Sequence, residues 1–458
     1  MQVPEQDGGV SFKGQAVISA SKWVPIESVS NKEALLRAAC VTGYSRNIDL
    51  VIHLATVEKN HIRLPRHMTR LQSVPETGYT DITKNITWEN VKFRKEITPR
   101  DKKQEDAWAA FEKADNGILS IACGGGKTVL GLKKVAQRGY PAVVLVSNGA
   151  LMEQWADRAK TFLGMTDDEI GVVKAEKQQW DKPLVIAMLQ TVTSRIDSIP
   201  MDVRMRFGTV VFDECHHMSA RTFVSVADLF YGARFGLTAT TDRSDGLEEV
   251  YYAHIGGVFY SDKSSEINAE VYFKYMPTRS VDDREITKRG ELIISKLYDI
   301  LATDNSRNKT IKADIKGALA AGRKVLVLSH SVAHVESLSS ELARELPRKK
   351  VGMVHGGIKH DKRLPIIEES DVTVATFSLA KEGLDVPALD TLFLVTPFKD
   401  PGAFQQCRGR VERNYHTKKP PIVVVYEDVN ITVSKALCAS LKRSLKNEGR
   451  KFKTTKIK

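Results

Sequence analysis

The chain has 458 residues, with 68 Lys and Arg against 56 Asp and Glu, 42% hydrophobic residues and five cysteines. At about 150 residues per domain the length suits roughly three domains. A charged fraction of 27% is that of a globular protein and excludes a chain disordered throughout. No run approaches the ~20 apolar residues that cross a bilayer, and the opening MQVPEQDGG lacks the positive-then-apolar order of a signal peptide, so the expected setting is the cytoplasm, with no membrane partner.

Cys40, Cys123, Cys215, Cys407 and Cys438 are odd in number, scattered and never in a CxxC pair, which points to reduced thiols rather than a disulfide framework or a zinc ribbon. The net charge is +12, and residues 435–458 carry nine basic side chains against the single acid Glu448, so this end alone holds +8. Such a stretch suits a polyanion. A solvated tail kept for solubility is the competing reading.

Residues 1–92 alternate strand-like runs, at 15–20 and 47–57, with one helix. Ser30-Asn31-Lys32-Glu33 has capping-box spacing and predicts that helix's start. The stretch reads as a small mixed α+β accessory domain, followed by a looser segment with Pro75 and Gly78. From 93 to 262 the chain changes to continuous apolar runs at 117–122, 142–146, 184–187 and 209–212, each followed by a helical pattern. These predict buried parallel strands and an α/β domain. Residues 263–322 read as a linker and entry to a second half, in which the same grammar returns at 325–329, 351–355, 372–376, 391–395 and 422–426, within a domain over 323–430. Over 431–458 an amphipathic helix, with Val433, Leu437, Leu441 and Leu445 every fourth residue, precedes a free basic end. The fold class is α/β: two tandem parallel-sheet domains behind a small α+β domain.

Three constellations carry chemistry. In L-S-I-A-C-G-G-G-K-T-V-L, a strand end is followed by Gly124, Gly125 and Gly126, then by Lys127 and Thr128 opening a helix. Glycines let backbone N–H groups approach phosphate oxygens, the helix N-terminus adds positive potential, Lys127 reaches the terminal phosphates and the Thr128 hydroxyl can hold Mg²⁺. Ile121 stands where the P-loop pattern has its first Gly. The bland alternative is a glycine turn with an incidental lysine. Asp213-Glu214-Cys215-His216 ends the apolar run Val210-Val211-Phe212, placing two acids at the carboxyl end of a buried strand. Asp213 can position Mg²⁺, while Glu214 can orient and deprotonate a water that attacks a γ-phosphate. Solvated acids, or a zinc site using His216 and His217, are the competing readings, the second lacking a further ligand pair. In the second half, Gln406-Cys407-Arg408-Gly409-Arg410-Val411-Glu412-Arg413 sets Arg410 and Arg413 one helical turn apart. They read as arginine fingers for a phosphoryl group in flight, or as an exposed basic helix.

In this order the motifs resemble those of superfamily-two helicases, in the group of XPB, RecG and UvsW. Arg100 and Gln104 resemble the adenine-reading element, with one residue more between them than the usual R-x-x-Q. I-A-C-G-G-G-K-T resembles motif I, Leu151 through Arg158 with Gln154-Trp155 motif Ia, and Leu189-Gln190-Thr191 the next strand-contact motif. DECH resembles motif II, and Gly236-Leu237-Thr238-Ala239-Thr240 motif III, with Thr241 where Pro is usual. Ser329-His330 resembles motif IV, Thr376 through Asp385 motif V, and Q-x-x-G-R-x-x-R motif VI.

The resemblance covers about 94–428 and implies two RecA-like domains with ATP and Mg²⁺ in the cleft. Lys127, Thr128, Asp213 and Glu214 would line one wall, and Gln406, Arg410 and Arg413 the other. It further implies that Arg158, Thr191, His330 and Thr376 face nucleic acid, that Asp385 approaches the ribose or the domain seam, and that His216, Thr238 and Thr240 couple hydrolysis to movement. A helix-capping role is the alternative for Thr191 and Thr376. The expected protein is an ATP hydrolase and DNA helicase that remodels forked, branched or partly single-stranded DNA by branch migration or annealing, in DNA repair, recombination or replication. It is expected to act as a monomer, in the host cytoplasm if viral. An RNA helicase, an ATP-gated junction clamp and a restriction motor subunit are the alternatives.

Overall fold

The computed structural model describes residues 6–7, 10–11, 16–45, 48–68, 78–122, 124–215, 220–239, 246–262, 267–288, 291–377, 386–398, 400–412 and 418–455. The chain divides into two compact units, Met1–Lys263 and Ser264–Lys458.

The first unit opens with a five-stranded sheet of short strands, β1 (Val17–Ile18), β2 (Lys22–Pro25), β5 (Thr56–Glu58), β6 (His61–Leu64) and β7 (Thr80–Asp81), in the order β5-β6-β2-β1-β7. A hairpin of β3 (Cys40–Ser45) and β4 (Ile48–His53) follows helix α1 (Lys32–Ala38). The cap of α1 lies one residue later than the capping-box reading: the Asn31 side chain accepts the Ala34 N–H at 2.9 Å. Asn caps as well as Ser, so the two candidates differ only in register.

The main sheet of this unit has eight strands. They are β8 (Gly117–Ile121), β9 (Ala142–Val146), β10 (Ile170–Lys174), β11 (Lys177–Gln178), β12 (Leu184–Met188), β13 (Thr209–Asp213), β14 (Ala233–Thr238) and β15 (Val258–Asp262). Their order is β11-β10-β12-β9-β13-β14-β8-β15, parallel apart from the two-residue β11. β8, β9, β13 and β14 are buried at every position, as strands covered on both faces must be. Helices α2 (Lys102–Lys113), α3 (Lys127–Arg138), α4 (Gly149–Leu163), α5 (Leu189–Ser194), α6 (Met201–Arg206), α7 (Ala220–Ala227) and α8 (Glu248–Ile255) accompany the sheet.

The amino-terminal segment is not a free-standing domain. Val24, Leu35, Ile52, Ile62 and Leu64 share one continuous core with Val143, Leu145 and Phe212. The indole N–H of Trp88 donates to the Met205 carbonyl at 2.9 Å, and Arg66 donates to the Tyr231 carbonyl at 2.7 Å. So small a set of short strands has too little apolar surface to close a core by itself.

The second unit contains a seven-stranded, all-parallel sheet of β16 (Glu270–Met276), β17 (Val325–Ser329), β18 (Val351–Val354), β19 (Val372–Thr376), β20 (Thr391–Leu394), β21 (Ile422–Asp428) and β22 (Phe452–Thr455), in the order β18-β19-β17-β20-β21-β16-β22. Its helices include α9 (Ile294–Thr303), α10 (Asn305–Ala320), α11 (Val332–Glu345), α12 (His360–Glu369), α13 (Pro401–Val411) and α14 (Thr432–Asn447).

Two boundaries read from the sequence are corrected here. Residues 263–322 are no linker, because β16 pairs with β21 along its whole length and Met276, Ile311, Ile315 and Leu319 enter the core. Charged side chains of this span are also paired inside the unit: Lys274 contacts Asp314 at 2.6 Å. Nor is the basic end wholly free. β22 adds to the sheet beside β16, and Phe452 packs edge-on to Phe273 with centroids 5.3 Å apart. The helix before it buries Ser434, Cys438, Leu441 and Leu445, while Val433 and Leu437 are only partly covered.

Candidate functional site

Parallel α/β sheets bind ligands beyond the carboxyl ends of their strands. β8 and β13 both end there, on either side of β14, and deliver the glycine cradle and the acid pair to one place. Gly126 caps α3 with φ 86°, a left-handed conformation in which a side chain is strained, and a Cβ there would run into the Gln104 amide. Asp101 caps α2 by accepting the Gln104 N–H at 2.9 Å. Gln104 in turn donates from Nε2 to the Gly125 carbonyl at 3.3 Å and accepts the Arg100 N–H at 3.1 Å, while Arg100 Nη2 donates to the Gly124 carbonyl at 3.0 Å. The structure thus places Arg100 and Gln104 against the cradle.

Lys127 is buried, with Nζ donating to the Ile121 carbonyl at 3.2 Å and lying 3.7 Å from Glu214 Oε1. Asp213 is 2% exposed. Its Oδ2 accepts the Trp155 indole N–H at 2.7 Å, and its Oδ1 accepts the Glu214 N–H at 3.0 Å. Burial, and after it the neighbouring Glu214 charge, raises the Asp213 carboxyl well above the usual carboxylate range. A cation brought to this carboxylate would relieve both effects. Glu214 has φ 47°, a left-handed conformation costing a non-glycine residue about 1–3 kcal/mol, as strained positions at functional sites do. Among the described residues no three His, Cys, Asp or Glu gather around one point. The donors at hand, the Thr128 hydroxyl and the Asp213 carboxylate, fit Mg²⁺, which takes one or two protein oxygens and completes its shell with phosphate and water.

The nucleic-acid candidates of the first unit lie past the ends of the adjacent strands β9 and β12. Arg158, on α4, has its guanidinium 5.9 Å from the Phe162 ring centre. The Thr191 hydroxyl accepts the Ala175 N–H at 3.1 Å, so at present it serves the backbone. Thr238 ends β14 and is buried.

In the second unit, α13 carries Gln406, which is buried, and Arg410, which is half-buried. His330 follows β17, and Thr376 ends the neighbouring β19. The His330 ring stacks on Tyr298 with centroids 4.5 Å apart, faces Phe377 and Phe398, and contacts the Thr396 hydroxyl through Nδ1 at 2.8 Å. This aromatic box gives the imidazole a packing role whatever else it touches. Cys123, His216, Thr240, Asp385 and Arg413 lie outside the described residues.

Sequence reasoning passed over several side chains. Arg408, inside the Q-x-x-G-R motif, is fully buried, 3.1 Å from Glu412 and paired with Glu448, while Arg450 holds Glu412 at 2.5 Å. These contacts brace α13 against the end of α14. Arg450, counted in the basic tail, is therefore partly a strut. Arg307 and Asp428, both fully buried, pair at 2.8 Å. Trp155 stood in the motif Ia resemblance, but nothing local signals that its N–H reaches Asp213.

A cradle and acid pair of this geometry at the carboxyl edge of a parallel sheet, with a second unit built on an all-parallel seven-stranded sheet downstream, is the plan of a nucleotide hydrolase with two RecA-like units. Comparison with known proteins narrows the class. The family described as "Type III restriction enzyme, res subunit" matches residues 83–243, and "Helicase conserved C-terminal domain" matches 307–415, one in each compact unit. The "Probable helicase D10" of Escherichia phage T5 is 25% identical over 70% of this chain and 70% of its own length. The "DNA 3'-5' helicase XPB" of Kineococcus radiotolerans is 28% identical over 52% of this chain, and the match spans only 45% of that protein.

Among solved structures, yeast Dbp5 bound to RNA and ADP BeF3 (TM-score 0.53, 15% identity, 78% of this chain and 89% of that one) and Mycobacterium smegmatis Lhr bound to ssDNA and AMP-PNP (TM-score 0.53, 16% identity, 77% and 48%) share the fold. The chain belongs to the superfamily-two helicases, in the XPB-like group with phage and viral members, and is accordingly an ATP hydrolase. None of its described helices is long and apolar enough to cross a membrane.

Proposed function

We propose that this enzyme is a DNA translocase that uses ATP and Mg²⁺ to separate or reanneal strands at forked and branched DNA. The observation that carries the reading is the meeting of Lys127, Asp213 and Glu214 at one strand edge, in a chain whose relatives include DNA helicases. Lys127 and the cradle amides bind the phosphates; Thr128 and Asp213 would hold Mg²⁺, which when bound would supply charge neutralisation at the phosphoryl group. Glu214 orients the attacking water and takes its proton. The helicase resemblance further assigns Gln406, Arg410 and Arg413 to the nucleotide, and Asp385 to its ribose or to the domain seam. His216, Thr238 and Thr240 transmit the hydrolysis step. Arg158, Thr191, His330 and Thr376 follow the strand through its backbone, so binding is sequence-tolerant and salt-dependent. The amino-terminal segment, at 1–92, and the exposed basic face of α14 add duplex or junction contacts, and the chain acts as a monomer.

A second reading has its own support, because a mimivirus relative, 25% identical over 70% of this chain, carries an RNA-helicase description. Backbone contacts do not by themselves identify the sugar. The deciding experiment compares ATP turnover with single-stranded DNA, duplex, a four-way junction and RNA, beside strand displacement on the same substrates. The proposal expects the largest stimulation with the branched DNA. Stimulation by RNA alone overturns it, and stimulation without displacement or annealing leaves a junction-bound, ATP-gated clamp.

A further inference from the structure

The indole of Trp155 lies at a junction of four elements. It belongs to α4, three residues before Arg158, and is fully buried. Its ring lies so close to α3 that a Cβ at Gly131 would stand 2.8 Å from the indole and 2.9 Å from Leu237 of β14. Gly131 is one turn beyond Lys127 on the cradle helix, and Leu237 precedes Thr238. The polar end of the ring donates to Asp213 Oδ2 at 2.7 Å, at the end of β13.

A buried indole N–H needs an acceptor, and any of several backbone carbonyls would serve. Here the acceptor is the carboxylate whose other oxygen is already tied to the Glu214 N–H at 3.0 Å. With both oxygens engaged, the carboxylate plane is fixed, so Asp213 can turn only if Trp155 or the DECH backbone moves with it. A bond to a charged acceptor is about twice as strong as a neutral one, and outer-sphere bonds of this kind orient metal-bearing carboxylates.

We propose that Trp155 is a positioning residue: it holds the Asp213 carboxylate in the orientation that receives Mg²⁺, and it makes that orientation depend on where α4 lies. The second half of the statement rests on the reading of α4 as a strand-contacting helix. When nucleic acid engages α4, displacement of the indole alters the grip of Asp213 on the metal, a mechanical route from the bound strand to the hydrolysis site that bypasses Thr238.

The test uses the full-length protein with Trp155→Phe, which keeps most of the ring and deletes the donor, and Trp155→His, which loses more volume and keeps a ring N–H. Mg²⁺ half-saturation is measured by equilibrium titration of binding to a non-hydrolysable ATP analogue, with and without single-stranded DNA, beside thermal unfolding. Removing an outer-sphere partner typically weakens metal binding about 10–100-fold, so Trp155→Phe is expected to raise half-saturation by about tenfold, with the smaller His variant closer to wild type. If the loss instead follows ring volume, His worse than Phe, or if neither variant moves half-saturation, Trp155 is only core packing.

Should neither variant fold, the wild-type chain suffices. It has five tryptophans, and one indole N–H resonance is expected to move when Mg²⁺ joins the analogue complex. Five unmoved resonances overturn the proposal. If DNA leaves half-saturation of the wild-type protein unchanged while Trp155→Phe still raises it, the positioning role stands and the link to the strand falls.

Discussion

The two units share a parallel-sheet plan, and each ends a buried strand on a buried acid that it uses in its own way. In the second, Asp428 receives Arg307 through Nε and Nη2, the Thr278 hydroxyl at 2.5 Å and the Ser434 hydroxyl at 3.4 Å. Charge there is cancelled by geometry, and the group acts as a rivet between α10, β21 and α14. In the first, Asp213 accepts from two neutral donors, the Trp155 and Glu214 N–H groups, and a second acid stands beside it with Lys127. The difference teaches how to tell a strut from a site: a strut neutralises its charge within the fold, whereas a site sets acids side by side, here with the Asp213 carboxyl pushed upward by burial and by its neighbour.

The largest expected effect lies in the first unit. Glu214→Gln should lower ATP turnover by roughly 10²–10⁴-fold, the usual span for loss of a general base, while ATP remains bound, as a filter-binding or fluorescence assay beside the turnover assay would show. Lys127→Ala should abolish turnover and also weaken nucleotide binding, leaving much of the DNA affinity. Normal hydrolysis by Glu214→Gln would remove the base assignment and, with it, the contrast between the acid pair and Asp428.

Next in size comes the rivet. Asp428→Ala leaves the Arg307 guanidinium buried without its counter-ion, and breaking a buried pair from one side typically costs about 3–5 kcal/mol. Calorimetry should show the loss, with ATP turnover reduced only in proportion to the unfolded fraction at the assay temperature. A stable variant would mean that this pair is no strut.

Smaller still is a pH effect that treats the units alike. His334 contacts the Ser329 hydroxyl through Nδ1 and Asn308 Oδ1 through Nε2, each at 3.1 Å. An amide oxygen can only accept, so Nε2 carries the proton and Nδ1 takes the hydroxyl's; the neutral ring suits both. Burial, then the Arg307 charge, pushes its pKa down to about 3. In the first unit burial, then Arg234, does the same to His67, also to about 3. The unfolded chain takes up these protons near pH 6.5, where an unperturbed imidazole titrates. The fold therefore keeps its full stability above that pH and loses it progressively as pH falls from about 6.5 toward 3. Thermal unfolding from pH 7.5 to 4.5 should follow this, and His334→Gln should flatten the acid limb. An acid limb unchanged in that variant would deny His334 its share.

How much of this was legible in the sequence follows from the range of the interactions. The cradle, the acid pair and most of the buried strands are written within a few adjacent residues. Apolar runs with β-branched side chains have few other outcomes, so strands at 142–146, 325–329 and 372–376 fall where the pattern puts them. What escaped depends on partners far apart in the chain. β22 looks like a solvated run because F-K-T-T says nothing of the β16 edge waiting for it. Arg408 is one basic residue among several until Glu448, forty residues on, turns it inward. Trp155 lies 58 residues from Asp213, and only the β9–β13 pairing brings the two together.

The smallest expected effect concerns the basic end, now that part of it is structure. Arg450 braces Glu412, Lys442 contacts Glu427 at 2.5 Å and Lys453 contacts Glu270 at 3.2 Å, so these three are poor candidates for phosphate contacts. Lys435, Arg443, Lys446 and Lys451 are exposed. Deleting the end would strip Phe452 from its place against Phe273 together with the charge, and the two effects could not be told apart. Neutralising the four exposed residues to Gln separates them. For every phosphate that such a residue had been neutralising, the slope of log affinity against log salt should shrink by about 0.9 on duplex DNA, with ATP turnover in the absence of DNA and the unfolding temperature unchanged. A slope that does not move would leave α14 a packing helix whose outer charge serves solubility, and the second unit would then hold the strand through its sheet edge alone.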